Sequence, residues 1–266
     1  MRRIAIGQYV RGTSPVHRMD PRVKLVACLA YMVSAFVAPA PWGLVPVLAM
    51  LALAIAASRV PSRLIARASG PLAFFVLLTV ITNLLVVHEG TPVASLGWLV
   101  VTDVGVASAV VLGVRVLALM LAGALVTLTT TPVGITDGTE RLLSPLARLG
   151  VPVGELATMV SIAIRFIPTL SEEMRHVMTA QAARGAAVDE GSLARRARVV
   201  VSLIVPLFAS ALRHAEGLGD AMEARCYVGG EGRTHYHVLA LRRVDAAGIA
   251  VVAAYLAVVV AMAVAR

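Results

Sequence analysis

Long apolar runs separated by short polar segments dominate the first half of the chain and return at its end. The runs occupy residues 25–38, 44–57, 71–87, 104–130 and 244–265. Crossing the hydrocarbon core of a bilayer takes about 20 residues of helix, and a helix satisfies its backbone hydrogen bonds internally. The pattern predicts five transmembrane helices, the first two being the shortest. Asp20 and Pro21, a favoured cap and first-turn pair, predict where the first helix begins.

The charges between these runs predict their orientation. Arg59, Arg63 and Arg67 recur every four residues before the third run, whereas residues 88–103 contain acids but no lysine or arginine. Cytoplasmic loops of membrane proteins are enriched in lysine and arginine. We therefore expect the N-terminus to be cytoplasmic, and the 88–103 loop and the C-terminus to be external.

The middle of the chain has a different character. Residues 131–243 hold 13 of the 24 Lys and Arg residues and 11 of the 15 Asp and Glu residues. Within this part, 154–167 and 199–212 are too apolar for water and short for a span, which predicts helices lying along the membrane surface. If one or both of these helices cross the bilayer instead, the number of transmembrane helices becomes six or seven. The sequence thus divides into transmembrane helices at 1–131, a cytoplasmic domain at 132–243 and a last transmembrane helix at 244–266.

Two amphipathic helices predicted in this domain end in the same pattern, an alanine, an arginine and a small residue. The residues are Ala183, Arg184 and Gly185 in the first helix and Ala224, Arg225 and Cys226 in the second. Glu172 and Glu173 are predicted on the polar face of the first helix, away from its apolar stripe. An arginine in a last turn can simply complement the helix dipole, at about 0.3–1 kcal/mol. Alternatively, the two guanidinium groups are held out toward the carboxylates of a partner.

Composition supports an all-α, polytopic membrane protein. The 266 residues are 59% hydrophobic and 15% charged, against about 25% charged in soluble domains. The net charge of +9 fits cytoplasmic loops better than nucleic-acid binding, because the chain has few aromatic residues and no solvated basic tract. Cys28 and Cys226 are far apart, and we expect no disulfide between them. Residues 1–20 lack an apolar core, so we do not expect them to be a cleavable signal peptide.

The sequence contains only weak matches to nucleotide-binding or metal-binding motifs. Gly229, Gly230 and Gly232 form a glycine-rich turn, but no Gly-Lys-Ser/Thr follows to make a phosphate-binding loop. His235 and His237 are two potential metal ligands without further ligands nearby. The sequence therefore predicts no catalytic residue, no cofactor site and no metal site.

Arg115 and Asn83 are the two strong polar candidates in the middle of the predicted spans. Arg115 is either a functional site or a structural arginine that pairs with backbone or with a polar side chain. A secondary transporter or channel would need a polar path through the spans, and these two residues are what the sequence offers for one.

Six segments together carry a resemblance to a known family. They are residues 17–25, 128–132, 165–170, 181–185, 222–227 and 229–234. In this order, on a five-span profile, they resemble the transmembrane T component of energy-coupling factor (ECF) transporters, which are ABC-type importers of vitamins and metal ions. The set is more similar to the shared T component than to one dedicated to cobalt or biotin.

The resemblance implies a non-catalytic subunit without a cofactor. In the family, the two Ala-Arg-small motifs end cytoplasmic coupling helices and dock into grooves of two ATPase subunits. By match, Ala183, Arg184, Gly185, Ala224, Arg225 and Cys226 would take this role. Cys226 departs from the family pattern, which often has glycine after the arginine. The membrane side of the coupling helices would hold a substrate-binding S component, within the plasma membrane, and the S component would determine the cargo.

Overall fold

The computed structural model describes residues 9–87, 89–96, 99–184, 193–229 and 240–265. These residues divide into two compact units. The bundle unit comprises the described residues of 7–141 and 237–266, and the paired-helix unit comprises those of 142–236. Each unit has its own internal packing.

Helices account for most of the bundle unit. They are α1 (Pro15–Arg18), α2 (Pro21–Val37), α3 (Leu44–Ser58), α4 (Ser62–Val86), α5 (Asp103–Thr129), most of α6 (Pro132–Leu143) and α9 (Arg243–Val264). As predicted, Asp20 caps α2, and its side chain accepts a hydrogen bond from the backbone N–H of Arg22 at 2.9 Å. Pro21 occupies the first position of that helix. The all-α, polytopic fold class is confirmed.

A short hairpin precedes α5 and was not anticipated. Strands β1 (Pro92–Leu96) and β2 (Leu99–Thr102) pair antiparallel within the segment predicted to be an external loop. Thr102, at the end of β2, caps α5 by accepting a hydrogen bond from the N–H of Gly105 at 3.1 Å. The hairpin therefore leads directly into the longest helix of the bundle unit.

The core of the bundle unit combines small side chains with paired tyrosines. Ala35, Val47 and Ala122 are buried together with Tyr31 and Tyr255. The Tyr31 hydroxyl donates to the carbonyl of Val47 at 3.2 Å, and the Tyr255 hydroxyl lies 2.7 Å from the Ser34 hydroxyl. Small residues let helix backbones approach closely, which is how helices pack in a membrane.

Large apolar side chains cover the outside of the bundle unit. Val26, Leu29, Val33 and Phe36 are all exposed and follow one another at helical spacing along α2. An exposed stripe of this kind is costly in water but is the expected surface of a helix in lipid. The burial pattern thus agrees with a multi-pass membrane protein.

The paired-helix unit is built around two long helices. α7 (Val153–Ala183) and α8 (Leu193–Glu223) each contain 31 residues, and a 3₁₀ helix (Ser144–Leu149) precedes α7. Pro168 and Pro206 lie inside these helices without ending them. The apolar segments predicted at 154–167 and 199–212 are therefore parts of continuous helices.

Four helices among the described residues are long and apolar enough to cross a membrane. They are Asp103–Thr129, Val153–Ala183, Val200–Glu223 and Arg243–Val264. Leu44–Ser58 and the described apolar part of α4, Ala73–Val86, are shorter. The number of five transmembrane helices stays a prediction. The alternatives of six or seven, in which α7 or α8 or both cross the membrane, also stay open.

Candidate functional site

The first Ala-Arg-small motif forms the end of α7. The helix closes at Ala183, and the backbone N–H of Arg184 donates to the carbonyl of Gln181 at 3.0 Å. The Arg184 side chain is exposed, and in the described part of the chain it forms no ion pair. Gly185, the third residue of the predicted motif, lies outside the described residues.

The second motif ends α8 in a Schellman turn. The N–H of Cys226 donates to the carbonyl of Glu223 at 2.9 Å, and the N–H of Tyr227 donates to that of Met222 at 3.0 Å. Cys226 has a φ of 55°, in the left-handed region where glycine is preferred at this position of a helix end. Arg225, the residue just before it, is exposed and has no ion-pair partner among the residues described.

Contacts between α7 and α8 show that the helices run in opposite directions. Ser210 bonds to Glu173, whereas His214, further along α8, meets Phe166, which lies earlier on α7. Each arginine lies C-terminal to the contact on its own helix. Because the helices are antiparallel, Arg184 and Arg225 lie on opposite sides of the contact. At 1.5 Å per residue, the arginines lie about 16 Å and about 22 Å along their helices from the Glu173–Ser210 contact. The pair presents one guanidinium toward each end.

A polar contact joins the two helices between their prolines. The buried Ser210 hydroxyl donates to Glu173 Oε1, and the backbone carbonyl of Ser210 lies 2.9 Å from His214 Nδ1. The His214 ring packs edge-to-face on Phe166, with 5.8 Å between ring centroids. Glu173 Oε2 is buried and has no hydrogen-bond partner in the described part of the chain. The prediction that Glu173 lies on the polar face of its helix, away from the apolar stripe that packs, was wrong, because its carboxylate bonds to Ser210 of α8.

Two segments of the family resemblance meet in the bundle unit. Lys24, in the first segment, is buried, and its ammonium donates to the carbonyl of Thr129 at 3.0 Å and to the Thr130 hydroxyl at 3.3 Å. Thr129 and Thr130 belong to the second segment, at the end of α5. The start of α2 is thus fastened to the end of α5.

Asp245 adds the start of α9 to this junction. Its fully buried carboxylate accepts hydrogen bonds from the backbone N–H of Asp20 at 2.6 Å and of Arg242 at 2.7 Å. Burial opposes ionisation of Asp20, but hydrogen bonds from Arg22 and the nearby charge of Lys24 outweigh it and hold the pKa of that carboxyl below its usual range. We call Asp20, Lys24, Thr129, Thr130 and Asp245 the junction cluster. The sequence does not reveal that Asp245 joins α9 to α2, because Asp20 lies 225 positions away.

Arg115 and Asn83, the polar candidates in the predicted spans, both form hydrogen bonds with other helices or helix ends. Arg115 Nη2 donates to the carbonyl of Ala38, the residue that caps the end of α2, at 2.8 Å. Ser108 Oγ donates to Asn83 Oδ1 at 2.8 Å and so links α5 to α4. The structural interpretation of Arg115, as an arginine that pairs with backbone, agrees with this geometry.

The described residues contain no group of three or more His, Cys, Asp or Glu side chains arranged to hold a metal ion. His235 and His237, and the glycine-rich turn beyond Gly229, lie outside the described residues.

Comparison with known proteins places the chain in a family. The family model described as CbiQ, cobalt transport protein, matches residues 12–236, a range that includes both arginine motifs. Similar curated proteins include the energy-coupling factor transporter transmembrane protein EcfT of Acidaminococcus fermentans, 42% identical over 91% of this chain and 90% of that one. The EcfT of Bacillus subtilis is 44% identical over 88% of each chain.

One similar protein is much longer than this chain. A putative ABC transporter ATP-binding protein of Bifidobacterium longum is 41% identical over 94% of this chain, but the match covers 32% of that protein. A segment like this chain therefore occurs within a protein named for ATP binding. The extent of the family match and the identity to several EcfT proteins show that the chain belongs to the CbiQ family, as a T component of energy-coupling factor transporters.

Proposed function

We propose that this chain transmits the ATP-driven motion of two ABC-type ATPase subunits to a substrate-binding S component, for uptake of a vitamin or another micronutrient. The observation that carries the proposal is the pair of exposed arginines, without ion-pair partners among the described residues, at opposite ends of the α7–α8 pair. The chain itself performs no catalysis, and the ATPases hydrolyse the nucleotide. The S component determines which nutrient is carried.

The helix ends suit docking to two separate grooves. A guanidinium group carries five donors in a planar fork and forms paired hydrogen bonds with a carboxylate. Ala183 and Ala224 put a small side chain beside each arginine, which leaves room for a partner surface. Because Arg184 and Arg225 lie at opposite ends of the helix pair, each is positioned for a different ATPase subunit. Gly185 and Cys226 complete the two proposed docking motifs.

The long ATP-binding relative supports an ATPase partner. A segment similar to this chain forms part of a single polypeptide named an ABC transporter ATP-binding protein. Proteins that work in one complex are sometimes joined in one chain, which holds them at a high effective concentration. The same association between separate chains is what the docking motifs would provide here.

Apolar side chains of α7 and α8 provide a surface for the S component. On α8, Val201, Val205 and Phe208 are exposed, and on α7 Met159 and Val160 are exposed. These residues occupy the segments that the sequence marks as too apolar for water. We propose that they meet the bilayer and the S component, while the arginine ends reach the cytoplasmic ATPases.

The Glu173–Ser210 contact would carry motion between the two helices. Because it fastens α7 to α8 between the helix ends, displacement of either arginine by an ATPase moves both helices. This gives a direct path from the docking sites to the apolar surface that holds the S component.

The alternative function is a secondary transporter or channel that needs no ATPase. Its predicted polar path rests on Arg115 and Asn83, and both are bonded to neighbouring protein groups. Side chains whose polar groups bond to other helices are less available to bind a passing substrate. This geometry therefore favours the coupling function.

A pull-down from native membranes tests the proposal. Tagged wild-type chain should retain two ATPase subunits and a small membrane protein, whereas the Arg184→Ala, Arg225→Ala double variant should lose the ATPases. Arg175→Ala, Arg213→Ala is the matched control, because both arginines are exposed on the same helices but lie away from their ends. Normal ATPase recovery by the Arg184/Arg225 double variant would refute the docking role. Uptake into liposomes by the chain alone would favour the secondary transporter.

Labelling of single cysteines tests the proposed orientation, with a cytoplasmic N-terminus and coupling helices. Glu89→Cys and Ala265→Cys, in a background without Cys28 and Cys226, should both react with an impermeant maleimide added outside the cell. With six spans, the C-terminal cysteine would be protected, while Glu89→Cys would still react. Protection of Glu89→Cys would contradict the proposed orientation.

A further inference from the structure

We propose that the bundle unit contains a binding site for one anionic phospholipid. An acyl chain would occupy an apolar groove between α2, α3, α5 and α9, and the phosphate would meet arginines at the rim of the groove. This site is separate from the docking motifs and does not depend on the coupling function.

The groove has the size and lining of a ligand site. Its volume is about 330 Å³, within the range of about 300–1,000 Å³ typical of small-molecule pockets. Side chains from four helices form it, and nearly all of its surface is apolar. Representative residues are Cys28 on α2, Ala54 on α3, Val126 on α5 and Val251 on α9. A groove of this composition, open on a bundle in a membrane, suits a hydrocarbon chain.

One end of the groove is defined by the junction cluster. Lys24 and Thr129 line it there, and the same end holds the end of α1 through Val16 and Met19. The start of α2, the end of α5 and the start of α9 meet at this end through the hydrogen bonds of Lys24 and Asp245. The groove therefore runs from an apolar interior to the bundle face that the sequence predicts to be cytoplasmic.

Three exposed arginines lie within two positions of residues that line this end of the groove. Arg18 directly precedes the lining residue Met19, Arg59 follows the lining residue Ala57 by two positions, and Arg243 directly precedes the lining residue Val244. Each is exposed, and among the described residues none of the three forms an ion pair. Among the described residues, these three guanidinium groups, which we call the rim arginines, therefore add positive charge without an ion-pair partner near this end of the groove.

Charge complementarity identifies the occupant. Guanidinium groups bind phosphate through paired hydrogen bonds, and basic pockets between membrane helices on the cytoplasmic side bind anionic lipid headgroups. A zwitterionic lipid offers the same tail but no net charge for the arginines, and a soluble phosphate offers the charge without a tail. An anionic phospholipid satisfies both the groove and its rim.

Native mass spectrometry of the full chain tests the site directly. The chain is titrated with dioleoyl phosphatidylglycerol, with dioleoyl phosphatidylcholine, or with the first lipid in the presence of glycerol 3-phosphate. Three cations near a membrane surface predict at least about tenfold tighter binding of the anionic lipid. Equal affinity for the two lipids would overturn the proposal. Full competition by glycerol 3-phosphate would also overturn it, because the site would then bind an anion without a tail.

Variants separate the rim from the groove. Arg18→Gln, Arg59→Gln, Arg243→Gln should abolish the preference for the anionic lipid, whereas Arg148→Gln, Arg175→Gln, Arg213→Gln makes the same change of charge in the paired-helix unit and should keep it. Val251→Phe fills the groove from an exposed lining position and should weaken binding of both lipids. Wild-type behaviour of the rim variant or of Val251→Phe would contradict the assignment.

Cys28 gives a second readout in the assembled bilayer. It lines the groove and is partly accessible, and Cys226→Ser makes it the single thiol of the chain. Alkylation of Cys28 should be slower in phosphatidylglycerol nanodiscs than in phosphatidylcholine nanodiscs, and the rim variant should remove this difference. If Cys28 of the chain with its rim arginines intact were alkylated at equal rates in the two kinds of nanodisc, no anionic lipid would occupy the groove.

Discussion

Asp245 and Asp20, 225 positions apart, are joined by a hydrogen bond of 2.6 Å from the backbone N–H of Asp20 to the Asp245 carboxylate. The other Asp245 oxygen accepts from the N–H of Arg242 at 2.7 Å, and the side chain is fully buried. One carboxylate thus satisfies backbone donors at the starts of both α2 and α9. Lys24 brings the end of α5 to the same point, so three helix ends depend on the junction cluster.

We predict that Asp245→Asn destabilises the bundle unit by about 2–3 kcal/mol. The amide can accept at one oxygen only, so its NH₂ group would face a backbone N–H and leave a buried donor unsatisfied. The loss is measured as a lower thermal unfolding temperature in detergent. Glu89→Gln removes a carboxylate of the same charge from an exposed position and should change stability by at most about 0.5 kcal/mol. Equal melting of Asp245→Asn and wild type would show that the hydrogen bonds are not needed.

A second prediction concerns the contact between α7 and α8. Ser210→Ala leaves Glu173 without its hydroxyl partner, and a buried unsatisfied acceptor costs about 1–3 kcal/mol. Adding Glu173→Met removes the orphaned carboxylate and should restore most of the stability. Thermal unfolding of the wild type, the two single variants and the double variant completes a double-mutant cycle. Additive losses in the double variant would show that the two side chains do not stabilise each other.

A third prediction uses the backbone at the end of α8. Cys226 has a positive φ, which costs a residue with a side chain about 1–2 kcal/mol relative to glycine. Cys226→Gly should therefore stabilise the helix end, and Cys226→Val should weaken it, because a β-branched residue tolerates this conformation poorly. Hydrogen exchange of the backbone amides at 223–227 measures both effects.

Cys28 provides the control for this prediction, because glycine should have the opposite effect on stability there. Cys28 lies inside α2, where glycine costs roughly 0.5–1 kcal/mol relative to alanine. Cys28→Gly should therefore destabilise its helix. If glycine stabilised both positions or neither, the left-handed backbone would not be the cause.

The sequence predicted those features that are local. Asp20 and Pro21 fixed the start of α2, because a cap and a first-turn residue act within one turn of helix. Apolar runs indicated the bundle helices, and the arginine motifs fell at helix ends as expected. These features depend on the order of residues within a few positions, which the sequence displays directly.

The rest depends on contacts between distant positions. Glu173 belongs to a polar face by helical periodicity, and only the packing of α8 shows that it is covered. Arg115 pairs with the carbonyl of Ala38, and a backbone acceptor has no signature in the sequence. The apolar segment 154–167 and the run that ends in Arg184 were predicted separately, but α7 contains both and continues through Pro168, although an internal proline ordinarily marks a helix end or a kink.

The last prediction separates the geometry of the arginines from their charge. Arg184→Lys keeps the positive charge but replaces a planar fork by a point charge, which cannot form two parallel hydrogen bonds with one carboxylate. The coupling function predicts that Arg184→Lys and Arg225→Lys each weaken ATPase association and uptake, and that the double lysine variant is worse than either. Arg175→Lys, on the exposed surface of α7 away from the docking end, should leave both unchanged. Uptake at the wild-type rate by the double lysine variant would mean that positive charge at the helix ends is sufficient. The arginines would then complement the helix dipoles or attract a partner at long range, without gripping a carboxylate in its groove.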